Sequence, residues 1–160
     1  LKLASVFVAA TVLAACSSTQ EETAPPVTTT QSSTIAPGSA EDFRVNVGDT
    51  VLFDTDQHSV RSDAQAILQK QAAWLKQYPQ AKLMLEGHAD ERGTREYNLA
   101  LGERRAASTK KYLAGLGIAS SRISTISYGK EAPACFEANE ECRVLNRRAR
   151  FVSFTEVPTS

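Results

Sequence analysis

The chain has 160 residues, a formal net charge of zero and a hydrophobic content of 42%. That length fits one compact domain with room for tails. The neutral balance gives no electrostatic case for nucleic acid, and no apolar run reaches the roughly 18–20 residues that a membrane-spanning helix needs.

Residues 1–15 place one basic residue, Lys2, ahead of an apolar run that ends in small residues. This is the pattern of a secretory signal. Leu13-Ala14-Ala15-Cys16 closes it and resembles the lipobox of bacterial lipoproteins. The resemblance implies cleavage before Cys16 and acylation of its thiol and new amino group. An ordinary signal followed by an incidental cysteine is the plainer alternative. Several acyl chains hold a protein on a membrane, whereas one binds only marginally. Ser17 and Ser18, with no acid directly after Cys16, resemble outer-membrane rather than inner-membrane sorting, with the rest of the chain facing the periplasm. Residues 16–40 are then the acylated Cys16 and a tract of Ser, Thr, Gln, Pro and Ala with almost nothing to bury. Such composition predicts a disordered tether, either a leash or a passive linker.

The composition changes at Glu41, and 41–157 reads as the folded domain. Phe43, Val45 and Val47 alternate with polar neighbours, Gly48-Asp49 signals a turn, and Val51-Leu52-Phe53 is a short buried strand. Ser62-Asp63-Ala64-Gln65 reads as a capping box. It opens a helix that runs to about Tyr78 and stops at Pro79. A strand follows over 83–87. A second helix runs from about Arg95 to Leu116, with Gly117 suited to a left-handed cap. Residues 123–128 form a third strand closed by Gly129. A loop with Cys135 and Cys142 leads to a last strand over 146–154. The order β-α-β-α-β-β, with helices able to share one face, predicts an α+β two-layer sandwich with a mixed parallel/antiparallel sheet.

The stretch between the second strand and the second helix carries the chemistry. Asp90 lies at the loop entrance, and Asn98, Leu101 and Arg105 recur on one face of the helix. An acid and a guanidinium flanking one pocket grip a zwitterion, carboxylate to ammonium and guanidinium fork to carboxylate. An internal salt bridge that merely fixes the loop reads the same residues equally well.

Phe53-Asp54 after a strand, the run from Gly87 to Gly93, Tyr97-Asn98, Leu101-Gly102, Arg105-Ala106 and Asn146-Arg147-Arg148 together resemble the OmpA-like C-terminal domain family, over about 43–154. The resemblance implies a non-catalytic, cofactor-free domain that binds peptidoglycan through the diaminopimelate of the stem peptide. Asp90 and Arg105 carry over as its charged ligands, and Asn98 and Leu101 as pocket positions. Phe53 and Asp54 carry over as pocket wall and polar contact, and His88 and Tyr97 as rim. The lipid-anchored members work with the Tol proteins, so the resemblance also implies that part of the charged surface docks TolB, a β-propeller. Such a protein tethers the outer membrane to the cell wall and supports envelope integrity and cell division.

Two positions depart from the family pattern. The last strand reads Ala149-Arg150-Phe151 where a small apolar residue is usual after Asn-Arg-Arg-Ala, which puts its inward face in question. Thr109 replaces an apolar helix residue and predicts slightly poorer packing. His88 and Asp90 also spell His-x-Asp, but two histidines in the whole chain are too few for a zinc site. An anchored cell-wall hydrolase using Asp54 and Asp90 is the alternative function. It would need one carboxyl with a raised pKa, which nothing in the sequence supplies. Once Cys16 is acylated the remaining cysteine count is even, and an exported chain meets an oxidising compartment, so Cys135 and Cys142 are expected to form a disulfide.

Overall fold

The structure, a computed structural model, describes residues 35–154, with side chains through 152. The expected signal, Cys16 and most of the tether lie outside the described residues, as do the last positions of 41–157. Among the described residues no helix is long and apolar enough to cross a membrane.

The chain opens with a single turn, α1 (Ala40–Asp42), that runs into a π-helical turn, Phe43–Val47. β1 (Thr50–Leu52), α2 (Ser62–Gln77), β2 (Leu83–His88) and α3 (Arg95–Gly115) follow. A 3-10 turn (Ser120–Arg122) leads to β3 (Ile123–Gly129), α4 (Glu140–Asn146) and β4 (Arg148–Phe154). The sheet order is β1-β4-β2-β3. β4 is antiparallel to both neighbours, and β2 is parallel to β3. β1, β2 and β3 therefore all point the same way, with β4 inserted between the first two. Their C-terminal ends and the start of β4 meet along one edge, and the candidate site residues gather there. This is the mixed-sheet α+β sandwich that the sequence predicts.

Side chains alternate across a strand. Val51, Ala149, Phe151, Leu83, Leu85 and Ile123 face α2 and α3 and form the core with Leu68, Leu75, Ala106 and Leu113. Phe43 sits edge-on to both Trp74 (4.9 Å) and Phe151 (5.7 Å). Phe151 is thus a core residue, and the larger side chain fills the space beneath Phe43. Thr109 is fully buried, and its hydroxyl donates to the Arg105 carbonyl at 2.9 Å. The helix absorbs the extra polar group one turn back instead of packing loosely around it.

Glycines bring α3 onto the sheet. A Cβ on Gly87 would fall 1.8 Å from the Gly102 carbonyl oxygen, and one on Gly102 would fall 2.7 Å from that of Gly87. The helix backbone rests directly on β2 there. Arg122 closes the far end of α2. Its guanidinium donates to the carbonyls of Leu75 (3.0 Å), Tyr78 (2.8 Å) and Ala81 (3.0 Å), which meets the carbonyls a helix end leaves open.

Three local expectations are corrected. Phe43–Val47 is helical, with Phe43 buried and Val45 exposed; alternation over so short a stretch does not settle the period. The capping box does not form. Arg61 is the N-cap, Ser62 lies inside the first turn, and the Asp63 carboxylate accepts from the Ala64 amide and holds Arg61. The loop before β4 contains α4, capped by the Asn139 side chain accepting from the Cys142 amide at 2.8 Å. Asn139 followed by Glu140 and Glu141 was the available signal for that helix.

Candidate functional site

Two loops and one helix face enclose an open cavity of about 300 Å³ at the C-terminal edge of the sheet. Thr55 and Asp56 come from the turn after β1, Asp90, Arg92 and Gly93 from the turn after β2, and Tyr97, Asn98, Leu101 and Arg105 from α3. Thr94 fixes the start of that helix, its hydroxyl accepting from the Tyr97 amide at 3.2 Å. Asn98 is buried and donates to the Arg92 carbonyl at 2.7 Å, so the loop and the helix hold each other. Asp56 is the only non-glycine among the described residues with positive φ, at 56°. That conformation is tolerated by Asp more readily than by most residues, and here it turns the carboxylate to accept from the Tyr97 hydroxyl across the cavity mouth.

Arg105 is fully buried. Its guanidinium donates to the carbonyls of His88 (2.7 Å), Gln57 (2.8 Å) and Asp54 (3.1 Å) and lies over the Phe53 ring. One side chain from α3 thereby ties the ends of β1 and β2 together. A guanidinium has five N–H donors, and three are used, so two remain. Burial lowers its pKa to about 10, against the pull of Asp90, so it stays charged at neutral pH.

Asp90 accepts from Arg92 through a short fork, 2.6 Å at the closest, and from Arg147 at 3.4 Å. Burial pushes its carboxyl pKa up. Hydrogen bonds from the Arg92 side chain and backbone and from Arg147 outweigh that, and the net shift is downward. Arg147 also donates to the Phe53 carbonyl (3.2 Å) and to Glu140 of α4 (2.8 Å). A direct Asp90–Arg105 salt bridge is not what holds the loop. The acid pairs with two other arginines, and Arg105 serves backbone carbonyls.

Of the residues singled out in the sequence, Asp90, Arg105, Asn98, Leu101 and Tyr97 meet at this cavity. Phe53, Asp54 and His88 do not line it. Phe53 supports Arg105 from below, and Asp54 gives Arg105 its carbonyl while its carboxylate turns out to Arg61 at 3.0 Å. The His88 ring lies on the other face of the sheet, stacked on Tyr128 with Nε2 3.3 Å from Glu86. It therefore does not converge with Asp90. Burial and nearby Arg148 lower the His88 pKa to about 4, so the ring is neutral. Thr55, Asp56, Arg92 and Gly93 were missed. The Asp54-Thr55-Asp56 run after a strand was the available signal for the first two. The structure also joins Cys135 to Cys142, with Cα atoms 5.1 Å apart.

A four-stranded mixed sheet, two helices on one face and a charged cavity where the strands end define an OmpA-like α+β domain. The OmpA family model matches residues 52–147, and the chain belongs to that family. It is 59% identical over 113 residues to the peptidoglycan-associated lipoprotein of Mesorhizobium japonicum, covering 71% of this chain and 67% of that one. It is 57% identical over 118 residues to that of Agrobacterium fabrum, covering 74% and 67%. Among solved structures it is similar to the peptidoglycan-associated lipoprotein of Burkholderia pseudomallei, with a TM-score of 0.64 and 41% identity over 67% of this chain and 90% of that chain. The C-terminal domain of Helicobacter pylori MotB, at 20% identity and a TM-score of 0.63, shares the fold.

Proposed function

We propose that the chain binds peptidoglycan non-covalently by taking the free end of a diaminopimelate side chain into the cavity between Asp90 and Arg105. That end carries an ammonium and a carboxylate on one carbon. The observation that carries the reading is that an ionised acid and a buried, charged arginine with two spare donors line the same open cavity. The ligand carboxylate meets Arg105, and its ammonium meets Asp90. Arg92, half-exposed and closing on Asp90, is the group that yields. Leu101 supplies an apolar wall for the methylene stem. Lipidated at Cys16 and held in the outer membrane, such a domain ties that membrane to the wall from the periplasmic side. As a member of a Tol–Pal system it would also dock TolB and support envelope integrity and cell division.

The hydrolase alternative is disfavoured by the same electrostatics. A general acid needs a raised pKa, and Asp90 is shifted down while the Asp54 carboxylate is turned away to Arg61.

Co-sedimentation with purified sacculi tests the reading. Asp90→Asn keeps the shape and removes the charge, and is expected to weaken binding about tenfold or more, the scale of one charge-assisted hydrogen bond. Full sedimentation of this variant at matched ionic strength would place the ligand elsewhere. Release of soluble wall fragments would instead support the hydrolase.

A further inference from the structure

The face of the sheet turned away from the helices carries a cluster that the cavity above does not use. Register places Leu52 beside Arg148, and Thr50 beside Arg150. The excursion before β4 folds over this end of the sheet and adds Pro133 and Leu145. Together they bound a groove of about 550 Å³.

Arg148 is the unexplained residue. It is only 7% exposed, yet its one hydrogen bond is from Nη2 to the Ala132 carbonyl at 3.2 Å. Nη1 is buried without a partner. The nearest acids act on it only through space, because Asp49 is engaged by Arg150 at 3.2 Å and Glu86 faces His88. A buried cation is retained when an anion and further hydrogen bonds compensate it. Water satisfies donors but does not neutralise the charge. Arg150 uses Nε on Asp49 and lines the groove. The Thr50 hydroxyl is committed to Asp49 at 2.8 Å, so the groove offers guanidinium donors in the main.

We propose that this groove is a second binding site, which takes a carboxylate or phosphate oxyanion attached to a small apolar body. Arg148 forms the floor and Arg150 the rim. Leu52, Leu145 and Pro133 form walls against which the apolar part lies. A guanidinium fork suits the planar pair of oxygens on such a group. The site is separate from the cavity at Asp90 and does not depend on the wall-binding reading.

The test is a titration of the isotope-labelled full chain with inorganic phosphate and, separately, with hexyl phosphate, read by backbone and arginine side-chain NMR. Saturable shifts are expected at the Arg148 Nε–H and at the amides of Leu52 and Arg150. Arg148→Gln should lower the affinity roughly tenfold, as for loss of a charge-assisted bond. Arg150→Gln, at a half-exposed position that leaves the fold intact, should lower it roughly threefold, and carries the test alone should Arg148→Gln not fold. Tighter binding of hexyl phosphate identifies a lipid-like source for the oxyanion, and equal binding a free one. Shifts that stay linear, that persist in the variants, or that appear only at Arg92 and Arg105 would overturn the proposal.

Discussion

Arg105 and His88 stand at opposite ends of one hydrogen bond, and burial acts on each in a different way. The guanidinium keeps its charge because three carbonyls receive it. The imidazole loses its charge because burial and the nearby Arg148 outweigh its backbone contact at Ala132, and its pKa falls to about 4. That shift has a consequence for stability. The unfolded chain takes up a proton on His88 near pH 6.5, while the folded chain refuses it until about pH 4. Stability should therefore fall as the pH drops through this window, by roughly 3 kcal/mol in full. Glu86, whose carboxyl is raised by burial, works in the opposite direction, so the wild-type curve reports the sum. Urea unfolding of His88→Leu beside the wild type isolates the histidine, and the variant should gain stability relative to the wild type as the pH falls from about 6.5 to about 4. Parallel curves would mean that His88 titrates normally. The sequence put Asp90 and Arg105 in one place by spacing but left a zwitterion site and an internal salt bridge equally open, and the family resemblance favoured the first. The sequence could not show that Phe53, Asp54 and His88 serve the site from behind, because which way a strand-end residue turns is set by the register of β4, a long-range pairing.

At the scale of elements, the cavity exists because α3 lies unusually close to β2. Gly87 and Gly102 remove the side chains that would hold the two apart, and Gly129 adds a third contact, where a Cβ would come within 2.7 Å of the Leu99 amide nitrogen. Tyr97, Asn98, Leu101 and Arg105 are all on that helix, so its height above the sheet sets the width of the site. Gly87→Ala should push the helix outward, since the obstacle is backbone and not a flexible side chain. The expected cost is on the order of 3 kcal/mol, seen as an earlier denaturation midpoint together with weaker wall binding. An unchanged midpoint would mean that the helix is not seated as described. The long elements were readable in advance from their bounds more than from their period: α2 has an apolar stripe that stops at Pro79, α3 runs from a polar turn to Gly117, and β2 and β3 are runs closed at Gly87 and Gly129. The short ones were not. α1, the π-helical turn at Phe43–Val47 and α4 are too brief for periodicity to separate from loop, and only their caps give them away.

For the molecule as a whole, the question is how the excursion before β4 communicates with the site. Its disulfide joins Cys135 to Cys142 in the first turn of α4. At the other end of that helix, the Asn146 side chain accepts from the amides of Ala134 (2.7 Å) and Cys135 (3.1 Å) and donates to the Cys135 carbonyl (2.8 Å). Glu140 of the same helix holds Arg147, and Arg147 holds Asp90. The disulfide is thus connected to Asp90, the proposed ligand-binding acid, through α4 and two ion pairs. The placement of β4 between β1 and β2 creates this arrangement, and element order alone does not dictate it. Several sheet orders satisfy β-α-β-α-β-β, and the choice among them is made by the long-range pairings of β4. Closing so short a loop should stabilise the folded state by about 2–3 kcal/mol through the unfolded chain. Replacing both cysteines by serine should therefore lower the melting temperature by roughly 10 °C. Wall affinity should fall only a few-fold, because Arg147 keeps its bond to the Phe53 carbonyl when α4 loosens. A variant that melts with the wild type would show that Asn146 already orders the loop. One that loses all wall binding while staying folded would make α4, through Glu140, a required support for Asp90.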